Sequence, residues 1–208
     1  MKKQLNVETW NRRDHFHFFR KFEEPFWGIT VHIDVTKAYQ KAKELNSSFF
    51  LFYLHKSLIA ANAVEAFRYR IENETEVCIY EQLDPSTTVN RPDGTFGFSY
   101  ITYYTDYQHF EKEARKEIER VKANSGLEFR EQADNLIHYS TLPTINFTAL
   151  SHARSFSYKN SVPKITFGKM TEQDGKKTMP VSIHVHHALV DGAQVGEFVE
   201  LFQQELDR

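Results

Sequence analysis

The sequence predicts an α+β fold, a two-layer α/β sandwich in which helices pack on a mixed β-sheet, and three observations predict it. Short runs with period-two alternation, such as Trp27 to Asp34 and Val181 to His186, read as strands with one buried face. A mostly apolar stretch from Phe49 to Ala63 reads as a central buried helix; interrupted by His55, Lys56 and Asn62, it is too short and too polar to span a bilayer. A charged segment from Tyr107 to Ala123 carries Phe110, Ala114, Ile118 and Val121 along one stripe, the pattern of a helix with one side on a sheet. With no repeat, low-complexity tract or linker, residues 1–208 are expected to form one domain.

Taken in order, Trp10 to Arg20 sets the basic pair Arg12 and Arg13 ahead of an aromatic run, and reads as a short helix entering the domain. An arginine here can fork onto a distant carboxylate or face solvent, and the stretch alone does not choose. Thr36 is placed to cap a helix from Lys37 to Leu45. Arg68 to Ile71 and Glu76 to Glu81 read as strands joined at Glu72-Asn73-Glu74, a unit that Leu83-Asp84-Pro85 closes. Thr87 to Val89 reads as a short edge strand, and the turn Arg91-Pro92-Asp93-Gly94 leads into a strand from Phe96 to Tyr103. Asn124-Ser125-Gly126 ends the charged helix, residues 127–138 read as a loop with some helical character, and Ile145 to Leu150 as a strand. Pro163 to Met170 is expected to pair with Met179 to His187 through the turn Asp174-Gly175.

The C-terminal stretch carries the chemistry. Val181, Ile183 and Val185 alternate with Ser182, His184 and His186, and His187 shares the parity of the apolar set. Asp191-Gly192 stops the strand, and Val195, Phe198, Val199, Phe202 and Leu206 then recur at helical spacing. Asp191 is expected to cap that helix, with Gln194 completing a capping box. An imidazole therefore ends a buried strand, with a carboxylate four residues on, and imidazole suits proton transfer near neutral pH. The same cluster invites a metal reading, but alternation lets only His184 and His186 face together and no Cys or third His has zinc spacing; no metal is expected.

Composition narrows the partners. A net charge of -2 leaves no footprint for nucleic acid or anionic membrane. With 18 Phe, 10 Tyr and 2 Trp, the chain has much flat apolar surface for a core, an interface or an aromatic pocket. The one cysteine, Cys78, excludes an internal disulfide, reads as buried packing, and makes a reducing cytoplasm the expected location; Met1-Lys2-Lys3-Gln4-Leu5-Asn6 lacks the apolar core of a signal peptide.

The motif HHxxxDG at His186 to Gly192 resembles that of the chloramphenicol acetyltransferase family, shared more loosely with other CoA-dependent acyltransferases such as the dihydrolipoyl acyltransferase catalytic domains. The likeness runs through nearly the whole chain. Trp10-Asn11-Arg12-Arg13-Asp14-His15-Phe16 resembles the family's WxRRxHF, His32 to Thr36 its first strand and Leu83-Asp84-Pro85 its VDP turn. Ser140-Thr141-Leu142-Pro143, Asn146-Phe147, Thr166 with Gly168-Lys169, and Pro180 keep the family spacing up to His186-His187.

The resemblance implies a CoA-dependent acyltransferase-like fold and a homotrimer whose active sites lie at subunit interfaces. It implies direct transfer of an acetyl group from acetyl-CoA to the hydroxyl of a small-molecule acceptor in a ternary complex. His187 would be the general base, with no acyl-enzyme. By the same resemblance Asp191 pairs with Arg12, Ser140 stabilises the tetrahedral oxyanion, Thr166 helps through a bound water, and Lys169 sits near the CoA phosphate. Phe18, Phe19, Trp27, Phe96 and Phe98 would wall the acceptor pocket.

The acceptor half departs from the family pattern. Phe19 and Met170 stand where tyrosines are usual, Glu23-Glu24-Pro25 replaces an apolar-Pro-Cys segment, and His152, Asn160 and Lys164 fall where apolar side chains line the pocket. Polar groups buried against an apolar drug without partners are unfavourable, so a different, more polar hydroxylated acceptor is a second reading. Two rivals remain: a lipoyl acyltransferase catalytic domain, disfavoured because no lipoyl domain or linker is seen, and a non-enzymatic trimeric binding protein keeping the fold.

Overall fold

The computed structural model describes residues 1–130, 134–155 and 160–208. The chain runs as β1 (Lys2–Gln4), a 3-10 turn at Val7–Thr9, α1 (Arg13–Phe19), β2 (Phe26–Asp34), α2 (Thr36–Glu44), α3 (Phe49–Ala63), a second 3-10 turn at Glu65–Arg68, β3 (Tyr69–Glu72), β4 (Glu76–Tyr80), β5 (Asp84–Asn90), β6 (Phe96–Tyr100), α4 (Tyr107–Ala123), β7 (Leu136–Thr141), β8 (Lys164–Phe167), β9 (Thr171–Gln173), β10 (Lys176–His186) and α5 (Gly192–Asp207). Seven strands form the main sheet in the order β2-β10-β8-β7-β5-β6, with β9 added beside β10. It is mixed, because β7 runs parallel to both β5 and β8 while the other pairs are antiparallel. The α+β sandwich expected from the sequence is the fold observed.

Side chains of alternate parity divide the sheet into two faces. Ile137, Tyr139, Ile165, Phe167, Val181, Ile183 and Val185 are buried in the core, where Phe167 meets Tyr53 of α3 and Phe202 of α5. Helix α3 is apolar on nearly every side because α2, α4 and α5 pack around it. The expected hairpin forms at Asp174-Gly175, whose φ angles of 52° and 78° are those a two-residue type I′ turn needs.

Five element expectations are corrected. Ile145 to Leu150 is not a strand: after Pro143 the chain turns, with the Ile145 amide on the Leu142 carbonyl, and Ile145 itself is exposed. The strand lies instead at β7, whose first three residues fall in the stretch read as a loop and where Ile137 and Tyr139 alternate with His138 and Ser140; residues 131–133 of that stretch lie outside the described residues. The expected edge strand at Thr87 is interior, since the buried hydroxyls of Thr87 and Ser99 satisfy each other at 2.9 Å. Thr36 is the first residue of α2 and not its cap: the cap position is Val35, and Asp34 before it accepts from the Thr36 amide and hydroxyl. Finally β1, unassigned from sequence, joins β4 and β3 in a small second sheet.

Arg70 ties that small sheet to the large one. Its side chain is 1% exposed and donates to the carbonyls of Phe67, Tyr69, Asp134 and Leu136 at 2.6–2.7 Å. Arg70→Met strands four buried acceptors at once, and urea unfolding is expected to show a loss of about 3–5 kcal/mol.

Candidate active site

The site begins where β10 ends. The amides of Leu189 and Val190 both close on the His186 carbonyl, so the chain leaves the strand in a tight turn with His187 at its first position. The His187 amide donates to the Pro25 carbonyl at 2.8 Å. Its ring lies flat on Phe19, centroids 3.9 Å apart at 10°, and tilts against Trp27 at 5.6 Å. Trp27 is held in turn by its indole N–H on the Val190 carbonyl. Of the two ring nitrogens only Nδ1 is buried without a hydrogen-bond partner among the described residues. The imidazole is thus clamped by backbone and aromatic packing.

Four residues on, Asp191 caps α5 in the expected capping box: its Oδ1 accepts from the Ala193 amide, and Gln194 returns a side-chain oxygen to the Asp191 amide. Its Oδ2 accepts from Arg12 Nη1 at 2.7 Å, an ion pair joining the start of α1 to the start of α5. Partial burial works to raise the Asp191 pKa, but the Arg12 hydrogen bond, the Ala193 amide and the nearby positive charge outweigh it and hold the carboxyl below its usual range. Asp191→Asn keeps a competent cap while removing the charge that faces Arg12. Because the folded pKa is the lower one, the stability difference from wild type is expected to be full above about pH 4 and to vanish as pH falls through the folded value. Unfolding midpoints of both proteins across the acid range check this.

A second group of residues sits elsewhere on the sheet. Strand register sets Ser140 of β7 beside Thr166 of β8, Thr166 beside Ser182 of β10, and Ser182 beside Thr30 of β2, a row of hydroxyls on the face away from the core. Thr166 is buried, and its hydroxyl has no partner among the described residues. Ser140, Phe96 and Phe98 line a cavity of about 370 Å³. Just past β8, Gly168 is required by close packing: a Cβ there would come within 2.5 Å of Pro180 and 2.9 Å of the Ile145 carbonyl. Lys169 follows, exposed, with its amide on that same carbonyl.

One chain does not bring these two groups together. His187 lies five residues beyond the hydroxyl row and two strands across from Ser140, on the order of 15–20 Å. The five aromatic residues divide likewise: Phe19 and Trp27 touch the imidazole, the exposed Phe18 packs on Phe19 and Phe22, and Phe96 and Phe98 stay with Ser140.

The face expected to be merely polar on β10 is in fact largely buried, because Phe26 and the segment at 151–154 cover it. Burial, with Arg154 and His187 adding to it, pushes His186 down to about 3. Burial also leads in pushing His138 and His152 to about 4, and it combines with Arg154 to push Lys164 to about 8 against an opposing Glu24. His152 and Lys164, singled out from sequence, line the cavity; Asn160 lines an adjoining hollow. His184 is weighed from sequence only as a metal ligand and His138 not at all, although the alternation His138-Tyr139-Ser140 already sets His138 on the face of Ser140. Among the described residues no three His, Cys, Asp or Glu gather as a metal would need, and no helix is long and apolar enough to cross a membrane.

A family profile described as chloramphenicol acetyltransferase matches residues 2–203. The chain is 29% identical to a chloramphenicol acetyltransferase of Bacillus pumilus over 202 residues, covering 96% of this chain and 91% of the relative. It is 28% identical to chloramphenicol acetyltransferase 3 of Escherichia coli over 207 residues, covering 97% and 95%. A solved chloramphenicol acetyltransferase superposes with a TM-score of 0.92 at 30% identity, covering 99% of this chain and all of that one. The dihydrolipoamide acetyltransferase of Azotobacter vinelandii shares the fold, with a TM-score of 0.63 at 17% identity over 88% of this chain and 82% of its own.

Proposed function

Because the chain belongs to the chloramphenicol acetyltransferase family, we propose that it moves an acetyl group from acetyl-CoA directly to a hydroxyl of chloramphenicol or a related acceptor, with His187 as general base. The protein is an acyltransferase, and acetyl-CoA is its co-substrate. The observation that carries the proposed mechanism is the clamped imidazole: the Pro25 carbonyl fixes the His187 backbone amide, and Phe19 and Trp27 pack on its ring. A base so held accepts the hydroxyl proton as the oxygen attacks the thioester carbonyl, and returns it to the departing thiolate.

Ser140 would donate to the oxyanion as the carbonyl becomes tetrahedral. The unpartnered Thr166 hydroxyl suits a bound water, and the exposed Lys169 offers a positive charge to a CoA phosphate. Asp191 would steady the site through Arg12 and the α5 cap without relaying the proton.

The separation of His187 from Ser140 supports a homotrimer in which the histidine of one subunit works on the pocket of the next. Phe18 is 61% exposed and Ile29, on the edge strand β2, 43%; both are apolar surface of the kind a subunit interface covers. One connected core supports reading residues 1–208 as one domain. The buried, unpaired Cys78, whose thiol burial pushes up to about 11, supports a reducing, cytoplasmic setting.

Release of free CoA thiol from acetyl-CoA, followed with chloramphenicol and a panel of other alcohols, tests the proposal. Release that needs both the alcohol and an intact His187 is the expected result; an enzyme silent with every alcohol would overturn the assignment. The lining of the cavity by Lys164 and His152 favours the second reading, an acceptor more polar than chloramphenicol.

A further inference from the structure

One pleat away from the hydroxyl row, the sheet carries a row of nitrogen bases. Register sets Ser86 beside His138, His138 beside Lys164, Lys164 beside His184, and His184 beside Gly28. Gly28 leaves room for the His184 ring, since a Cβ there would meet it at 2.4 Å. His152 adds a further ring edge-on to His184 at 4.9 Å.

The charges in this row do not balance. Arg154 takes Glu24 as its ion-pair partner and also lies over the Phe26 ring at 3.9 Å. Lys164 reaches the same ring at 4.6 Å, yet among the described residues no carboxylate pairs with its ammonium. The neighbouring histidines supply no negative charge in either protonation state. A cation so placed, partly out of water and sharing the field of Glu24 with an Arg154 that already pairs with it, is unfavourable until something anionic meets it.

The surrounding cavity says what shape that anion has. Its walls are Phe96, Phe98, Tyr100 and Phe129, flat surfaces for an aromatic ring. Lys164 stands two residues before Thr166, so its Cα and the Ser140 row are roughly 7 Å apart along the strands, and its side chain lines the same cavity as Ser140. A benzene ring bearing a hydroxymethyl group at one end and a carboxylate at the other spans a similar distance. Resting on the acetyl transfer proposed above, we infer that the acceptor is a hydroxylated aromatic acid whose carboxylate pairs with Lys164 while its hydroxyl lies beside Ser140.

Matched probes test this. 4-Hydroxymethylbenzoate and 4-hydroxymethylbenzamide differ only in the charge offered to Lys164. Calorimetric binding to the whole chain is expected to favour the acid over its amide by about ten-fold or more, the effect of one charge-assisted hydrogen bond, and Lys164→Met is expected to erase the preference. Thermal unfolding of the variant checks that it is folded. An absence of acid preference in the wild type overturns the inference, and so does a preference that survives in folded Lys164→Met. Thiol release in the same samples separates the two levels: acid preference without release keeps the anion site and removes the transferase reading, whereas release with neutral alcohols and no acid preference does the reverse.

Discussion

His187→Ala is expected to lower kcat for acetyl transfer by about 10²–10⁴-fold, the range for loss of a positioned general base. Neither neighbouring titratable group, His186 or Asp191, is placed to take over. His186 is the adjacent imidazole, but it is buried against Phe26, and burial drives its pKa to about 3. Asp191 is committed to Arg12 and to the α5 cap. Truncation also removes the ring stacked on Phe19, so part of any loss could come from a shifted α1. His187→Gln separates the two causes, since it retains bulk beneath Phe19 without a titratable base. Both variants are expected to show the same deep loss of thiol release, while their unfolding midpoints differ. A glutamine variant near wild-type rate would remove His187 from the proton transfer.

Ser140→Ala is expected to reduce kcat by about 10²–10³-fold, the equivalent of roughly 2.7–4 kcal/mol for one oxyanion donor. Its value grows when it is combined with His187→Ala. If a site draws its base from one subunit and its oxyanion donor from the next, mixing the two inactive variants creates sites that carry both wild-type groups. In a closed ring of heterologous interfaces with random one-to-one mixing, about a quarter of sites are whole, and roughly a quarter of wild-type activity is expected to return. Refolding the two variants together and following thiol release measures it. A mixture as silent as its components would mean that each subunit works alone, which a separation of His187 and Ser140 on the order of 15–20 Å, from strand register, argues against.

Much of this was legible in one dimension because it rests on local rules. The capping box at Asp191 and Gln194 follows from neighbours three residues apart, and α4 starts and stops where its apolar stripe does. Errors arose where a pattern was short or its meaning depended on distant strands. Ile145 to Leu150 carries apolar residues but no partner strand, and β7 is hard to see because its start follows a polar stretch and His138 and Ser140 interrupt its apolar face.

By itself the sequence determined the helices α3, α4 and α5, the strand that ends in His186, the cap at Asp191 and the likeness to a family of acyltransferases. It also flagged Lys164 and His152 as foreign to an apolar pocket. Only the tertiary structure decided that Arg12 reaches Asp191, that Ser140 and Thr166 share a row, that Lys164 lies between His138 and His184 with no ion-pair partner among the described residues, and that His187 stands apart from Ser140. The physical reason is register. Within a strand, period two says which side chains share a face, but which residue of the next strand lies alongside is settled by packing between segments far apart in the chain.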